Sequence, residues 1–280
     1  MKLALYKLIP RNLVTQGMYR LARITHPSWL KNIIIKIYIL ITGADTSFAI
    51  EKNPYHYKSL NDFFTRALAD KARPINPDSS QLTSPVDGRC AEFGAIETNK
   101  LVQAKNILYT LEQLLDDPAL AQQFYHGQTA TLYLAPDDYH RIHMPCDGQL
   151  RNMRFCPGEK HSVSLSLLDK IPNIFAENER AVCVFETNFG LMAMVLVGAL
   201  NVSSIETVWH GELHDNGDNY YDYSKEQHFF KKGAEIGRFN LGSTVILIFA
   251  NPKISWQAQK LQSSDKILMG QPIATLNSQI

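Results

Sequence analysis

Most of this chain has the pattern of consecutive β-strands with few helices between them. Runs rich in β-branched and apolar residues, separated by Gly, Asn and Pro, occupy residues 129–135, 181–186, 191–200, 205–209 and 244–250. Strands that follow one another without regular intervening helices usually pair as antiparallel neighbours. The pattern therefore predicts an α+β fold, with a largely antiparallel β body and helices on its N-terminal side.

Three short helices are predicted within the body. Residues 59–68 open with a serine that can cap a helix. The sequence T-L-E-Q at residues 110–113 is a capping box, which starts a helix ending near Asp116, and Pro118 begins another helix. Residues 210–228 are rich in acidic residues and tyrosines, which is typical of a long exposed loop.

Charge is distributed unevenly along the chain, although the formal net charge is only +1. Residues 1–44 contain seven Lys and Arg and no Asp or Glu, which leaves 21 basic and 27 acidic residues for residues 45–280. An acid-free basic segment indicates an anionic surface as its partner. The body has no basic stripe, so nucleic acid is not expected as a partner.

The N-terminal segment, residues 1–44, is predicted to form amphipathic helices that lie on a membrane. Its longest apolar run, residues 30–42, contains Lys31 and Lys36 and would measure about 20 Å as a helix, shorter than the ~30 Å hydrocarbon core. Apolar residues recur at helical spacing with basic residues between them, as in interfacial helices, and Pro10, Gly17 and Pro27 are expected to divide them. The alternative is that these helices simply pack on the body.

The cysteines give no indication of a metal or disulfide framework. All four, Cys90, Cys146, Cys156 and Cys183, are scattered without a C-x-x-C pair. We expect reduced, mostly buried thiols in a protein that faces the cytosol.

Three stretches of the body combine residues that could perform catalysis. They are S-P-V-D-G at residues 84–88, D-Y-H-R-I-H-M-P at residues 138–145, and F-N-L-G-S-T at residues 239–244. Together they offer an Asp, two His and a Ser, the residue types of a catalytic triad, which can occur in any chain order. Structural explanations are also available: a turn, surface imidazoles and a bend before a core strand. The serine is not in a G-x-S-x-G motif, and a strand follows it, so an ordinary serine hydrolase is not indicated.

Two further classes of function are compatible with the residues alone. A metal-dependent hydrolase could use the spacings His140-x-x-His143 and His210-x-x-x-His214, with His161 between them. Gly211 and the polar stretch after it favour a loop, whereas the second spacing needs a helix. A non-enzymatic membrane-binding module could use the same basic N-terminal segment.

The sequence resembles phosphatidylserine decarboxylase, a pyruvoyl-dependent enzyme made as an inactive proenzyme, over roughly residues 50–250. L-G-S-T at residues 241–244 looks like the self-cleavage motif of that family, and residues 138–145 resemble its D-Y-H-R-x-H-M-P block. Residues 63–75 resemble its F-F-x-R-x-L…R-P-I segment. The basic N-terminal segment is similar to that of the longer, membrane-associated bacterial members. Further similar stretches are residues 157–158, 173–180 and 198–209.

The resemblance implies a self-cleavage set of Asp87, His143 and Ser243. His143, oriented by Asp87, would take the proton of the Ser243 hydroxyl, whose oxygen attacks the carbonyl carbon of Gly242. The resulting ester would eliminate when Ser243 loses its α-proton, and hydrolysis would leave a pyruvoyl group and ammonia. The products would be a large chain, residues 1–242, and a small chain, residues 243–280.

The resemblance also implies the reaction of the cleaved enzyme. The pyruvoyl group derived from Ser243 would be the only cofactor, without an external one or a metal. It would form a Schiff base with the amine of phosphatidylserine, and loss of CO₂ would give phosphatidylethanolamine. His140 would protonate the carbon that loses CO₂, and Ser162 would lie near the substrate headgroup. His140 and His143 can face one site only if the chain bends at residues 144–145 or forms a helical turn there, because residues three apart in a strand point to opposite faces.

Partners and location follow from the same resemblance. The partners would be phosphatidylserine, an anionic membrane surface, the two chains of one precursor and a second copy in a homodimer. The location would be the cytoplasmic side of the cell membrane, held peripherally. Two positions depart from the family pattern: Asn106 stands where many members have glycine, and His161 stands where an aromatic residue is usual.

Overall fold

The computed structural model of the chain describes residues 10–104, 107–200, 204–240, 243–262 and 265–277. Eight α-helices lie within these ranges: α1 Arg11–Ala22, α2 Ser28–Thr42, α3 Leu60–Phe64, α4 Leu111–Leu115, α5 Pro118–Gln122, α6 Leu165–Leu168, α7 Ile174–Glu177 and α8 Ala258–Leu261. A short 3₁₀ helix spans Pro54–His56.

Strands make up most of the body, and every pairing between them is antiparallel. The α+β prediction is therefore confirmed. The first nine are β1 Gln81–Thr83, β2 Arg89–Ala95, β3 Lys100–Ala104, β4 Ile107–Thr110, β5 Gln128–Leu134, β6 Arg141–His143, β7 Gly148–Cys156, β8 Arg180–Thr187 and β9 Gly190–Val197. The others are β10 Ser204–Thr207, β11 Gly211–Glu212, β12 Tyr220–Asp222, β13 Phe229–Phe230, β14 Glu235–Asn240, β15 Ser243–Phe249, β16 Ile254–Trp256 and β17 Pro272–Leu276.

A large sheet in the order β12-β7-β8-β9-β15-β5-β2 forms the centre of the body, and β13 also pairs with β7. Its strand β15 lies between β9 and β5, and all seven of its residues are buried. Alternate residues of β15 enter two different cores, since Val245 and Leu247 belong to the first and Ile246 and Ile248 to the second. The large sheet therefore has a core on each face.

Smaller sheets cover one face of the large sheet. A four-stranded sheet, β11-β10-β14-β6, supplies Ile142, Ile205 and Phe239 to the first core, and a three-stranded sheet, β1-β17-β16, supplies Leu82 and Ile273. The second core lies against helices α4 to α7 and the β3–β4 hairpin.

A third core joins helices α1 and α2 to the body. Ala22 and Ile35 of these helices pack with Leu60, Phe63 and Phe64 of α3. The division into domains 1–44 and 45–280 stays a prediction. Residues 1–9 lie outside the described residues.

The predicted helix and loop boundaries are correct in part. The capping box at Thr110 is present, and the side chain of Ser59 accepts a hydrogen bond from the backbone of Asp62. The helix from Ser59 ends at Phe64 rather than at Leu68, because Leu68 forms a bridge with Ala49.

Two further expectations about local structure were wrong in part. Pro27 separates the two helices described in the N-terminal segment, within the expected two or three, but helix α1 continues through Gly17, since a helix packed on the body tolerates the roughly 1 kcal/mol cost of one glycine. Residues 210–228 are not one long loop, because β11 lies within them and β12 pairs with β7 at an edge of the large sheet.

Candidate active site

Ser243 is the first residue of β15, at one end of the large sheet. It lies opposite Leu134 of β5, and its side chain points to the same face as Val245, into the first core. Ser243 is 1% exposed, and its Oγ has no hydrogen-bond partner among the described residues. A buried hydroxyl without a partner is uncommon, so this oxygen is available for chemistry. Gly242, the other residue of the predicted cleavage bond, lies outside the described residues.

His140 is anchored at the end of β5, the strand end that pairs with Ser243. Phe239 donates a backbone hydrogen bond of 3.1 Å to the carbonyl of His140, so the two residues are opposite each other and His140 shares the core-facing side of Phe239. The Nε2 of His140 lies 3.0 Å from the carbonyl oxygen of Ala135, the residue that follows Leu134. The ring also stacks on Phe64, with centroids 3.9 Å apart.

The tautomer of His140 follows from these contacts. A carbonyl oxygen only accepts, so Nε2 carries the proton and Nδ1 keeps its lone pair. That Nδ1 is buried without a partner among the described residues. Burial, together with the positive charge of Arg66, lowers the pKa of His140 to about 3, so the ring is neutral at physiological pH.

His143 lies at the end of β6 and faces away from the first core. Its neighbour Ile142 enters that core, so alternation places His143 on the other face of the strand. Its Nδ1 lies 2.8 Å from the carbonyl of Gly233, and its Nε2 lies 2.9 Å from the hydroxyl of Tyr139. Nδ1 must therefore donate, and Tyr139 donates to Nε2. Burial lowers the pKa of His143, and the Gly233 carbonyl partly opposes that shift.

The two histidines do not face one site in this arrangement. Residues 141–143 are a regular strand, so His143 points to the face opposite that of His140, and the chain bends only after His143, at residues 145–146. His140 is bound at the end of β5 that lies opposite Ser243.

Asp87 is held by an arginine and by the C-terminal part of the chain. The Nε of Arg73 donates to both carboxylate oxygens at 2.9 and 3.1 Å, and its Nη2 lies 2.5 Å from Oδ2. The backbone N–H of Met269 donates to Oδ1 at 2.8 Å. The Asp87 side chain is only 3% exposed, so these charge-assisted hydrogen bonds replace its hydration.

The turn that carries Asp87 is fixed by close packing against β5. A Cβ added to Gly88 would lie 2.4 Å from the carbonyl oxygen of Tyr133, so only glycine fits. Gly88 and Ile267 also exchange two backbone hydrogen bonds, of 2.9 and 2.8 Å. Residues 265–271, which belong to the predicted small chain, therefore support the turn.

No hydrogen bond within the described ranges joins Asp87, His143 and Ser243 to one another. Gly88 and Ser243 flank β5 on opposite sides, at Tyr133 and Leu134, so two strand spacings, about 10 Å, separate their backbones. The structure brings the three residues to one end of the body, with no described hydrogen bond between them.

Ser162 lies at the same end of the large sheet, on the other side of Ser243. The carbonyl of its neighbour His161 accepts hydrogen bonds from Leu200 and from the side chain of Asn178. Leu200 follows the end of β9, whose Val197 is opposite Thr244. Of the two positions that depart from the family pattern, His161 is buried beside Ser162, whereas Asn106 lies outside the described residues.

The histidines of the metal-site alternative do not converge. His140 and His143 point to opposite faces of one strand, and His210 binds the hydroxyl of Tyr223 at 3.0 Å. In the parts of the chain that the structure describes, no group of three or more His, Cys, Asp or Glu side chains is placed to hold a metal ion.

A cavity of about 270 Å³ adjoins Asp87 and Tyr139. Arg66, Arg73 and Lys266 also line it, and so do Gly43 and Phe48, just after helix α2. The cavity connects the environment of Asp87 with the side of the body on which the N-terminal helices pack.

Comparison with known proteins identifies the family. The sequence model described as phosphatidylserine decarboxylase matches residues 60–275. The chain belongs to the phosphatidylserine decarboxylase family. Among its relatives, the phosphatidylserine decarboxylase proenzyme of Nitrosococcus oceani is 45% identical, with 98% of this chain and 91% of the relative covered. The proenzymes of Aliivibrio fischeri and Vibrio parahaemolyticus are each 42% identical, with 98% of this chain and 97% and 98% of the relatives covered.

Sequence reasoning missed several residues that shape the candidate site. Arg73, Asp138 and Tyr139 lie within stretches that resemble the family, but the sequence alone gave them no role. Lys266 and the backbone N–H of Met269 have no local signal at all. Their part in the site depends on contacts with residues more than 120 positions away.

Proposed function

We propose that this chain is a self-cleaving phosphatidylserine decarboxylase proenzyme, which converts phosphatidylserine to phosphatidylethanolamine and CO₂. Membership of the family and the names of its relatives support this activity. The observation that carries the proposal is the state of the Ser243 side chain: its hydroxyl is buried and has no described hydrogen-bond partner. Ser243 also directly follows the L-G of the predicted cleavage motif.

In the first stage, Ser243 Oγ attacks the carbonyl carbon of Gly242, and the peptide bond becomes an ester. His143 accepts the hydroxyl proton at Nε2, the nitrogen that its contact with Gly233 leaves unprotonated. Asp87, held by Arg73, provides the negative charge that favours protonation of this imidazole. Since no described hydrogen bond joins Asp87, His143 and Ser243, this stage requires them to approach one another, or Tyr139 to pass the proton.

Chain cleavage leaves the small chain, residues 243–280, locked in the sheet. Seven consecutive residues of β15 pair with β5, and six of them pair with β9. All seven are buried, so the new chain end stays in place after the peptide bond is broken.

In the second stage, the site uses the pyruvoyl group that Ser243 becomes. That group supplies an electron-withdrawing carbonyl, which favours loss of CO₂ from the bound substrate. The residues around Ser243 fit such a group. Ser243 is buried, and the ring of His140 is neutral, with an unprotonated Nδ1 that has no partner among the described residues. We assign His140 to proton transfer: Nδ1 takes the proton that the substrate ammonium must lose, and returns it to the carbon that loses CO₂. Ser162, at the same end of the sheet, is assigned to the substrate headgroup.

Mass spectrometry of the purified protein tests the first stage. The wild-type chain should give two species, residues 1–242 and residues 243–280, and the smaller one should lack a free amino terminus. Ser243→Ala should stay whole and should not decarboxylate phosphatidylserine. A wild-type protein that remains one chain and is inactive would refute the proposal.

We further propose that helices α1 and α2 hold the protein on the cytoplasmic face of an anionic membrane. Their outward side carries exposed large apolar residues, of which Leu40 and Ile41 are 73% and 78% exposed. The others on these helices are Leu13, Val14, Leu21, Trp29, Ile33 and Ile37. Exposed large apolar side chains in this number are typical of interfacial helices. Among the described residues, no helix is long and apolar enough to cross a bilayer.

The cations of these helices contribute less to this surface than the sequence suggests. Arg11 and Arg23 form ion pairs with Glu159 and Glu212 of the body, and Lys31 donates to the carbonyls of Tyr55 and Tyr57. Exposed basic side chains on the two described helices are Arg20 and Lys36. Apolar contact is therefore the main attraction that we propose.

Flotation with vesicles containing anionic phospholipid tests the membrane proposal. Leu40→Glu with Ile41→Glu should leave self-cleavage unchanged and should reduce flotation strongly, because both side chains are exposed. Phe229→Glu, at an exposed apolar residue of β13, is the matched control. Equal flotation of the double variant and the wild-type protein would contradict the proposal. The homodimer stays a prediction, which analytical ultracentrifugation in detergent can test.

A further inference from the structure

Asp138 is a fully buried carboxylate that neither stage of the proposed reaction uses. It lies in the turn that joins β5 to β6, and its side chain has no exposed surface. Burying a carboxylate is costly unless it is paired and hydrogen-bonded. Its partners therefore indicate what the charge does in this position.

The partners of Asp138 hold the residue to which His140 is bound. The Oδ2 of Asp138 accepts the backbone N–H of Ala135 at 2.7 Å. The carbonyl of the same Ala135 accepts two hydrogen bonds, from the backbone N–H of Asp138 at 2.9 Å and from Nε2 of His140 at 3.0 Å. Asp138 thus fixes the acceptor that selects the tautomer of His140.

Other contacts immobilise the rest of this turn. Arg66 donates to the carbonyls of Asp137 and Asp138 at 3.2 and 3.4 Å, and the hydroxyl of Tyr38 donates to the carbonyl of Pro136. The carbonyl that accepts from His140 therefore belongs to a turn with little freedom to move.

The positive charge that pairs with Asp138 comes from the other side of the predicted cleavage bond. Lys266 forms an ion pair with Asp138 and another, at 3.2 Å, with Asp137. Burial raises the pKa of Asp138, and Lys266 opposes this shift. After cleavage, the turn beside His140 would be held by a residue of the small chain.

We propose that Asp138 is a positioning residue for the decarboxylation stage, because it fixes Ala135 so that His140 keeps Nε2–H bound and presents a bare Nδ1 to the substrate. The inference rests on the proposed function, in which His140 transfers the proton. His143 has other partners, Tyr139 and Gly233, so self-cleavage does not depend on this hydrogen bond.

Three variants separate this role from a general effect on folding. Asp138→Ala removes the acceptor of the Ala135 N–H and should cleave normally, but should decarboxylate about 10- to 100-fold more slowly, the penalty of a misplaced catalytic group. Asp138→Asn keeps an acceptor oxygen and should restore the rate to within about threefold of wild type. Asp137→Ala is the matched control, since Asp137 also pairs with Lys266 but does not bind Ala135.

Each variant is measured for self-cleavage by mass spectrometry and for CO₂ release from phosphatidylserine in detergent micelles. If Asp138→Ala does not cleave, Asp138→Glu is used in its place, because glutamate keeps the negative charge and moves the carboxylate by one methylene group. The same 10- to 100-fold decrease in the decarboxylation rate is expected for Asp138→Glu. Normal CO₂ release by cleaved Asp138→Ala or Asp138→Glu would overturn the inference. An equal loss of CO₂ release in Asp137→Ala would also overturn it, and so would a rate for Asp138→Asn as low as that of Asp138→Ala. His140→Ala is measured in parallel. If His140→Ala decarboxylates phosphatidylserine normally, the proposed role of His140 is wrong. If His140→Ala is inactive while Asp138→Ala keeps normal activity, only the inference about Asp138 is refuted.

Discussion

Replacing Arg73 with methionine should destabilise the precursor by about 3–5 kcal/mol, because it leaves a buried carboxylate without its charged partner. The side chains of Arg73 and Asp87 are 10% and 3% exposed, so water cannot replace the guanidinium. Asp87 would keep one described hydrogen bond, from the backbone of Met269 at 2.8 Å. Methionine retains much of the apolar stem of arginine, so the loss is mainly electrostatic.

Urea unfolding of the Ser243→Ala precursor measures this effect, because that background remains one chain. The control is Arg151→Met, which removes an ion pair with Glu186 whose side chains are 40% and 56% exposed. An exposed pair contributes about 0–1 kcal/mol, so this control should change the free energy of unfolding by no more than that.

A double-mutant cycle shows whether the loss belongs to the Arg73–Asp87 pair. Asp87→Asn in the Arg73→Met chain should cost at least about 2 kcal/mol less than in the parent chain, because no buried charge is then left unpaired. A destabilisation below 1 kcal/mol for Arg73→Met, or additive effects in the cycle, would refute the argument that Arg73 neutralises Asp87.

Three further predictions concern single side chains around the site. Tyr139→Phe removes the hydrogen bond to Nε2 of His143 and should slow self-cleavage about tenfold without slowing decarboxylation by cleaved protein. The control Tyr57→Phe, which removes a 2.9 Å hydrogen bond to the carbonyl of Glu51, should not slow self-cleavage. Time courses of intact mass measure both cleavage rates, and equal rates would contradict the role of Tyr139. Gly88→Ala should destabilise the Ser243→Ala precursor by about 1–3 kcal/mol, since the new Cβ would lie 2.4 Å from the Tyr133 carbonyl; an unchanged urea midpoint would show that β5 yields freely. His140→Gln should flatten the pH dependence of the free energy of unfolding. The pKa of His140 is about 3 in the folded protein and 6.5 ordinarily, so the buried neutral ring lowers the free energy of unfolding only below pH 6.5. From pH 6.5 toward pH 3, the free energy of unfolding of the wild-type protein should fall by up to about 1.4 kcal/mol per pH unit. Urea midpoints at pH 4 to 7 test this, and equal slopes in both proteins would mean that His140 is not buried as a neutral ring.

Local patterns predicted the elements whose cause is local. The strand runs correspond to β5, β8, β9, β10 and β15, and the capping box at Thr110 begins α4 where it was expected. One strand that the sequence did not reveal is β7, in which charged and polar residues interrupt the alternation of apolar and polar side chains. The three short strands β1, β16 and β17 were not revealed either. Those strands exist because of pairing with distant partners, which no local window contains.

The candidate site divides in the same way. Resemblance to the family identified Asp87, His140, His143 and Ser243 as residues of interest, and all four are buried at one end of the body. It left open whether His140 and His143 face one site, and the structure places them on opposite faces of the chain at β6. Nor did it predict that Arg73, rather than His143, is the charged partner of Asp87.

The sequence by itself determined the α+β class and the family, and it carries the motif from which cleavage before Ser243 is predicted, because these depend on residue types in consecutive order. Only the tertiary structure decided that His140 binds the Ala135 carbonyl at the end of β5, which nitrogen of each ring is unprotonated, and that Lys266 and Met269 support residues far earlier in the chain. The physical reason is that proton positions and buried charges are set by the nearest polar atoms, and folding brings those atoms from distant parts of the chain.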